Sequence, residues 1–373
     1  MHDEMSESKR VLLISDFVYP VVGGTERHVF GLARYLHEKG INVHILTPGW
    51  DNGDSLEIEG IPIHRFKFPF IHNRLVRILR ILFYVYYGVR LDREVNFQVI
   101  HSFYMMPALV SAVLLGRLRG KKTILTFFEP EPLESQGLFK KYLIKKLIAQ
   151  ADRITTLNWT LEKQIKKLFP HQEVTTITNW VEETFRHVKV KKNSREKIIL
   201  FVGRLCKQKG VYVLVEALPI IRESVNCRLV LIGPPWEEKN IIELAKKLGV
   251  SEFIEIKGFV SDEELVEWYN HCDLLVYPSL YKGGFGFTLV EAMACGKPVV
   301  GSDDVGIPDA IGDAGVITKA GDEKDLARGI IELLTDEKKY KKCQENALNR
   351  VADMFRRDKV LSKYLELYQK VLT

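Results

Sequence analysis

The sequence predicts an α/β protein built from two doubly wound halves, and three observations carry that expectation. Short apolar runs alternate with helix-spaced segments along most of the chain. The alternation stops once, in a polar and basic stretch from Glu182 to Lys197, and then restarts. Glycine turns stand where strands pass into helices, at Gly23-Gly24, at Gly203 and around Gly283–Gly286. Strand–helix alternation favours parallel sheets covered by helices. Two such halves in tandem are expected to place a ligand cleft at the carboxyl ends of their strands. The length of 373 residues suffices for two cores.

In chain order, Val11–Ser15 is a buried strand and a Pro/Gly loop follows it. From Thr25 to Lys39, Val29, Leu32, Ala33 and Leu36 recur at helical spacing, with Gly40 as C-cap. Ile41–Leu46 completes a strand–helix–strand unit. Further strands are expected at 98–102, 123–127, 153–157 and 174–178. Past the linker they resume at 198–202, 228–232, 253–257, 274–277, 298–301 and 316–318. Ser261-Asp262-Glu263-Glu264 reads as a capping box opening a helix through Tyr269. The segment 357–372 reads as a closing helix. The domains are therefore expected at 1–182 and 183–352, with 353–373 returning to the first.

Bulk properties exclude several classes. A net charge of +6, not gathered in a tail, is too weak to argue for nucleic acid. Five widely spaced cysteines without a C-x-x-C fit reduced thiols in a cytoplasmic protein. MHDEMSESKR has no apolar core and is not read as a secretory signal. No apolar run approaches the roughly 20 residues that span a bilayer. No Asp-x-Asp and no paired histidines beside an acid suggest a metal site, so no metal or cofactor is expected. His28, His44, His64 and His101 read as structural.

Four constellations carry chemistry. The most informative is Tyr277–Ser302, a strand, a glycine loop, a helix bearing the single carboxylate Glu291, and a strand. A helix N-terminus offers unpaired N–H groups and partial positive charge, and glycines let an anion approach them. Glu291 is placed to meet ligand hydroxyls or, equally, a structural amide. Second, Arg204 and Lys209 follow the first strand of the second half, where together they would neutralise a diphosphate. Third, Gly23-Gly24 suits an anionic ligand or simply a tight turn. Fourth, Ile61–Leu91 carries Arg65, Lys67, Arg74, Arg77, Arg80 and Arg90, no acid, and many aromatic residues. That mixture suits an anionic membrane surface. Basic–aromatic interleaving also suits single-stranded nucleic acid, which ranks behind the membrane surface, and the plain alternative is an amphipathic core helix with a solvated basic face.

These residues resemble the retaining glycosyltransferases of the family-4 type, which have the two-domain GT-B architecture. The resemblance covers nearly the whole chain. It rests on Asp16, Tyr19-Pro20 and Gly23–His28, on Asn179–Glu182, on Val202-Gly203-Arg204 with Lys209-Gly210, on Gly258–Ser261, and on Pro278–Val300. It implies a metal-independent hexosyltransferase taking a UDP- or GDP-linked sugar in the second half and an acceptor in the first. By resemblance Arg204 and Lys209 hold the diphosphate. Gly203 adjoins them, and Gly258, Phe259 and Val260 meet the base. Glu291 takes ribose hydroxyls, and Phe285, Gly286, Phe287, Thr288 and Leu289 line phosphates and sugar. Gly23 and Gly24 approach from the other domain.

Two departures stand out against the family pattern. Gly283 occupies the place of a glutamate eight positions before Glu291, and Phe128 that of a histidine. Glu129, Glu131 or Lys282 is expected to supply a substitute sugar contact. The acceptor is expected to be lipid-linked or membrane-held, with the protein peripheral on the cytoplasmic face. The competing reading is a non-catalytic subunit that binds a nucleotide sugar without turnover; a sugar-nucleotide epimerase or a phosphorylase ranks behind it.

Overall fold

The computed structural model describes residues 9–16, 18, 23–49, 55–68, 74–103, 106–129, 138–191, 195–281 and 285–372. They divide into two compact units, 1–177 with 361–373, and 178–360. The polar stretch after Glu182 lies wholly within the second unit, and Phe185 there is buried.

In the first unit, β1 (Arg10–Ile14) lies at the centre, followed by α1 (Gly24–Glu38) and β2 (Asn42–Gly49). A hairpin of β3 (Leu56–Ile58) and β4 (Ile61–Lys67) leads to the long helix α2 (Arg74–Val95). Then come β5 (Val99–Phe103), α3 (Met106–Arg119), β6 (Lys122–Phe127), α4 (Leu138–Ile148), β7 (Arg153–Thr156), α5 (Trp159–Leu168) and β8 (Val174–Thr176). Among the described residues the sheet order is β3-β4-β2-β1-β5-β6-β7-β8, parallel throughout except for the antiparallel β3–β4 pair. Central strands of such a sheet are buried on both faces and read as continuous apolar runs, as Val11–Ile14 does.

The hairpin was not anticipated. Its two-residue turn, Glu59-Gly60, puts both residues at positive φ (53° and 76°), the conformation of a type I′ turn. Glutamate is an uncommon occupant there; its carboxylate is taken by Arg34 at 2.6 and 2.7 Å.

The 61–91 stretch is thus not one helix, and α2 also departs from expectation. Between residues 78 and 86 its outward face is apolar, with Ile78, Leu79, Leu82, Phe83 and Tyr86 all exposed, whereas Arg90 further along is exposed as expected. One of its arginines, Arg80, points inward and is buried. Arg80 Nη1 donates to Asp16 Oδ1 at 3.3 Å, and the buried Tyr84 hydroxyl donates to the same oxygen at 2.9 Å. The reason is Asp16 at the carboxyl end of β1: its side chain is fully buried, and a buried carboxylate requires a partner.

The second unit repeats the alternation with β9 (Lys197–Val202), α6 (Val211–Ser224), β10 (Cys227–Ile232), α7 (Glu238–Lys247), β11 (Ile254–Gly258), α8 (Asp262–His271) and β12 (Leu274–Tyr277). It continues through α9 (Phe287–Ala294), β13 (Val299–Ser302), α10 (Ile307–Ile311), β14 (Gly315–Thr318), α11 (Glu323–Thr335) and α12 (Glu337–Arg350). A π-helical turn, Val351–Phe355, precedes the last helix, α13 (Arg357–Leu372). The sheet is parallel, in the order β11-β10-β9-β12-β13-β14. The Ser261–Glu264 capping box forms at the start of α8.

From Leu361 onward α13 belongs to the first unit. There Tyr364 Oη lies 3.0 Å from His28 Nε2, and Tyr368 Oη lies 2.6 Å from His101 Nδ1. His101 Nε2 meets Thr126 Oγ1 at 2.6 Å, which in turn meets Thr155 Oγ1 at 2.6 Å. All these side chains are buried. Burial and the neighbouring His28 hold the His101 pKa well below its ordinary 6.5, so the ring is neutral.

Candidate functional site

The second unit gathers its candidate groups at the carboxyl ends of β9 to β12. The loop after β9 is stitched to the loop after β10. Gly203 N–H donates to Ile232 O (2.9 Å), Leu205 N–H to Pro234 O (2.9 Å), and Glu237 N–H to Leu205 O (3.0 Å). These bonds set Arg204 beside Trp236, with the guanidinium carbon 4.8 Å from the ring centroid. Trp236 is 64% exposed.

Lys209 ends the 3-10 turn Lys207–Lys209. Gly210 follows at φ +73°, where a Cβ would overlap the carbonyl of Pro278; only glycine lets this loop press on the end of β12. Leu280 N–H donates to Gln208 O at 3.0 Å, a second tie between the same segments. Lys209 Nζ then lies 5.8 Å from the Tyr277 ring centroid and 5.7 Å from that of Tyr281. No carboxylate among the described residues pairs with Arg204 or Lys209.

Helix α9 opens from Gly286, at φ +68° and ψ 93°, with no side-chain cap and no acid in its first turn. A Cβ on Gly286 would lie 3.4 Å from Tyr277 Cζ, so the Tyr277 ring is close to both Lys209 and the start of α9. Thr288 Oγ1 is buried without a hydrogen-bond partner among the described residues. Phe285 and Leu289 are fully buried, and Phe287 packs edge-on against Trp180 at 6.0 Å. Uncapped helical N–H groups, together with the cations Lys209 and Arg204 of the same unit, can receive an anion.

Glu291 is 2% exposed, and its Oε2 accepts from the buried Tyr269 hydroxyl at 2.8 Å. The partner the sequence left open between ligand hydroxyls and a structural amide is thus, for this oxygen, a phenol. At the end of β11, Gly258 takes φ +68° and its carbonyl accepts from Gly233 N–H at 2.7 Å. Phe259 beyond it is 70% exposed and Val260 half-buried.

In the first unit, Gly23 caps α1 in extended conformation and Gly24 begins the helix. Glu26 folds back over Gly23, so closely that a Cβ there would overlap its carboxylate. The positive end of α1 is therefore met by the chain's own acid, which weakens Gly23-Gly24 as an anion loop. Phe128 is buried edge-on against His28, at 5.0 Å, and near Phe103 at 6.3 Å. Glu129 is half-buried. Glu131, Lys282 and Gly283 lie outside the described residues.

Sequence reading missed the three aromatic rings around the cations. The signal for Trp236 was present as Gly233-Pro234-Pro235-Trp236, a turn that cannot continue a strand and so projects its last side chain. Among the described residues no three His, Cys, Asp or Glu side chains could hold a metal ion. No helix among them is long and apolar enough to cross a membrane.

Two doubly wound units with this strand-end constellation define a transferase fold of the GT-B type. Comparison with solved structures agrees. A sucrose-phosphate synthase from Thermosynechococcus elongatus superposes with a TM-score of 0.82 at 20% identity, covering 97% of this chain and 99% of that one. HepE from Anabaena, in complex with UDP and glucose, gives 0.76 at 18% identity over 97% and 100%. Residues 22–185 match the model of Glycosyltransferase Family 4, and residues 182–350 that of Glycosyl transferases group 1. The N-acetyl-alpha-D-glucosaminyl L-malate synthase of Bacillus anthracis is 28% identical over 378 residues, 95% of this chain and 96% of the relative. The chain belongs to the family-4 glycosyltransferases.

Proposed function

We propose that the protein transfers a hexosyl group from a UDP-linked sugar, with retention of anomeric configuration and without a metal. The donor binds the second unit and the acceptor the first. The observation that carries this reading is the pairing of Arg204 and Lys209, unneutralised by any described carboxylate, with the uncapped start of α9 in the same unit. Uridine is preferred to guanosine because the HepE neighbour was solved with UDP; the B. anthracis relative's name makes N-acetylglucosamine the first sugar to try.

In the reaction, the bond from the anomeric carbon to the diphosphate oxygen breaks and the acceptor oxygen bonds on the same face. The acceptor's proton passes to a donor phosphate oxygen. The diphosphate leaves with charge that Arg204 and Lys209 stabilise. Arg204→Ala should slow turnover on the order of 10²-fold or more; a near-native rate would remove Arg204 from the site.

The acceptor is lipid-linked, and the exposed apolar face of α2 rests against the membrane that holds it. Support comes from Ile78, Leu79, Leu82, Phe83 and Tyr86 on a segment free of acids from 61 to 91. Flotation with anionic vesicles should be lost in Leu82→Glu/Tyr86→Glu. Equal flotation of the variant and the native chain would discard the contact.

A binding subunit without turnover is the second reading, favoured by Phe128 standing in apolar contact with His28 and Phe103. Release of free UDP from UDP-sugars by the purified protein separates the two readings; binding without release selects the second.

A further inference from the structure

We infer that Trp236 is a positioning residue for Arg204, holding the guanidinium by its face so that its edge stays free for a diphosphate. The inference rests on the reading of Arg204 given above. An indole ring that is 64% exposed serves no core, yet its loop is fixed to that of Arg204 by two interloop hydrogen bonds. A third bond, Trp236 N–H to Pro234 O at 3.0 Å, tightens the turn itself.

The chemistry of the pair explains the arrangement. A carboxylate would orient an arginine equally well, but it would occupy the in-plane N–H donors and cancel the charge. An aromatic ring attracts the cation through its quadrupole and leaves the donors in the guanidinium plane unused. The acid next to Trp236, Glu237, is engaged elsewhere, with the N–H of Lys207 at 3.4 Å and with Tyr212. Lys209 is treated alike, resting on Tyr277 and Tyr281. Both cations are thereby oriented without being neutralised.

A double-mutant cycle read by calorimetric titration with UDP tests this. Trp236→Leu should weaken UDP binding about two- to five-fold, the range of an exposed cation–π contact. Trp236→Phe should restore near-native affinity, which a ring-independent packing role would not give. In an Arg204→Ala background, Trp236→Leu should cause no further loss. An equal loss in that background would overturn the inference, because the indole would then be touching the nucleotide itself. Native affinity in Trp236→Leu would overturn it too. Unchanged UDP affinity in Arg204→Ala would instead fell the underlying assignment of Arg204, and with it this one.

Discussion

Replacing Arg80 by methionine should lower the stability of the first unit by about 3–5 kcal/mol, the usual cost of breaking a buried ion pair by removing one partner. Both side chains are inaccessible, 6% exposed for Arg80 and 0% for Asp16. Methionine fills much of the volume over Phe68, whose ring lies 5.3 Å from the guanidinium, so little of the loss comes from packing. What remains is a buried carboxylate deprived of its cation. For a unit of this size each kcal/mol moves the melting temperature by roughly 2–4 °C, so the midpoint should fall by about 6–20 °C. Urea and thermal unfolding followed by circular dichroism measure this. The double variant Asp16→Asn/Arg80→Met should recover most of the loss, because it removes both charges together. A loss below about 1 kcal/mol, or no recovery in the double variant, would refute the argument.

Other outcomes follow from buried groups. The His101 pKa is depressed in the fold, so above about pH 6.5 it leaves stability untouched. As pH falls below that value the unfolded chain takes up a proton the native state refuses, costing up to about 1.4 kcal/mol per pH unit. The slope of stability against pH between 6.5 and 5 should therefore be shallower in His101→Phe; equal slopes would refute this. Tyr269→Phe leaves Glu291 Oε2 without its 2.8 Å donor and should cost about 1.5–3 kcal/mol in urea unfolding, as for hydrogen bonds to charged groups. Burial pushes the Cys295 thiol up to about 12 and the Cys227 thiol up to about 11. Both should resist thiol reagents at pH 8 until the protein is unfolded, and prompt labelling of either would contradict the packing.

The strands of both sheets were legible because buried parallel strands are uninterrupted apolar runs, as at Leu274–Tyr277, and the helices because Val29, Leu32, Ala33 and Leu36 repeat at their period. The β3–β4 hairpin escaped because its turn uses glutamate where asparagine or aspartate would have signalled it. The direction in which α2 faces was illegible for a different reason. Its pattern of arginine and leucine is read outward-basic by default, and at Arg80 only Asp16, 64 positions away, turns it inward. At the site, Arg204, Lys209 and the α9 turn were found because charge and glycine are local signals. Their aromatic supports come from two segments, the loop after β10 and the end of β12 with the residues just beyond it, brought beside the cations by backbone hydrogen bonds that no spacing rule contains. Glu26 over Gly23 was overlooked although it lies three residues on, because an acid in a first helical turn is ordinarily taken only as a favourable end charge.

The tyrosines of α13 bear on how the chain is made. Residues 361–373 complete the unit that residues 1–177 begin, and the whole of 178–360 is synthesised between them. On a ribosome the second unit can therefore fold as it emerges, whereas the first must wait, with His28 and His101 lacking Tyr364 and Tyr368, until residues 361–373 emerge. At a synthesis rate of roughly 5–20 residues per second, that wait lasts on the order of ten to forty seconds. Throughout it the larger part of the first unit is an unfinished domain, with the pocket for two phenol rings open to whatever else is in the cell.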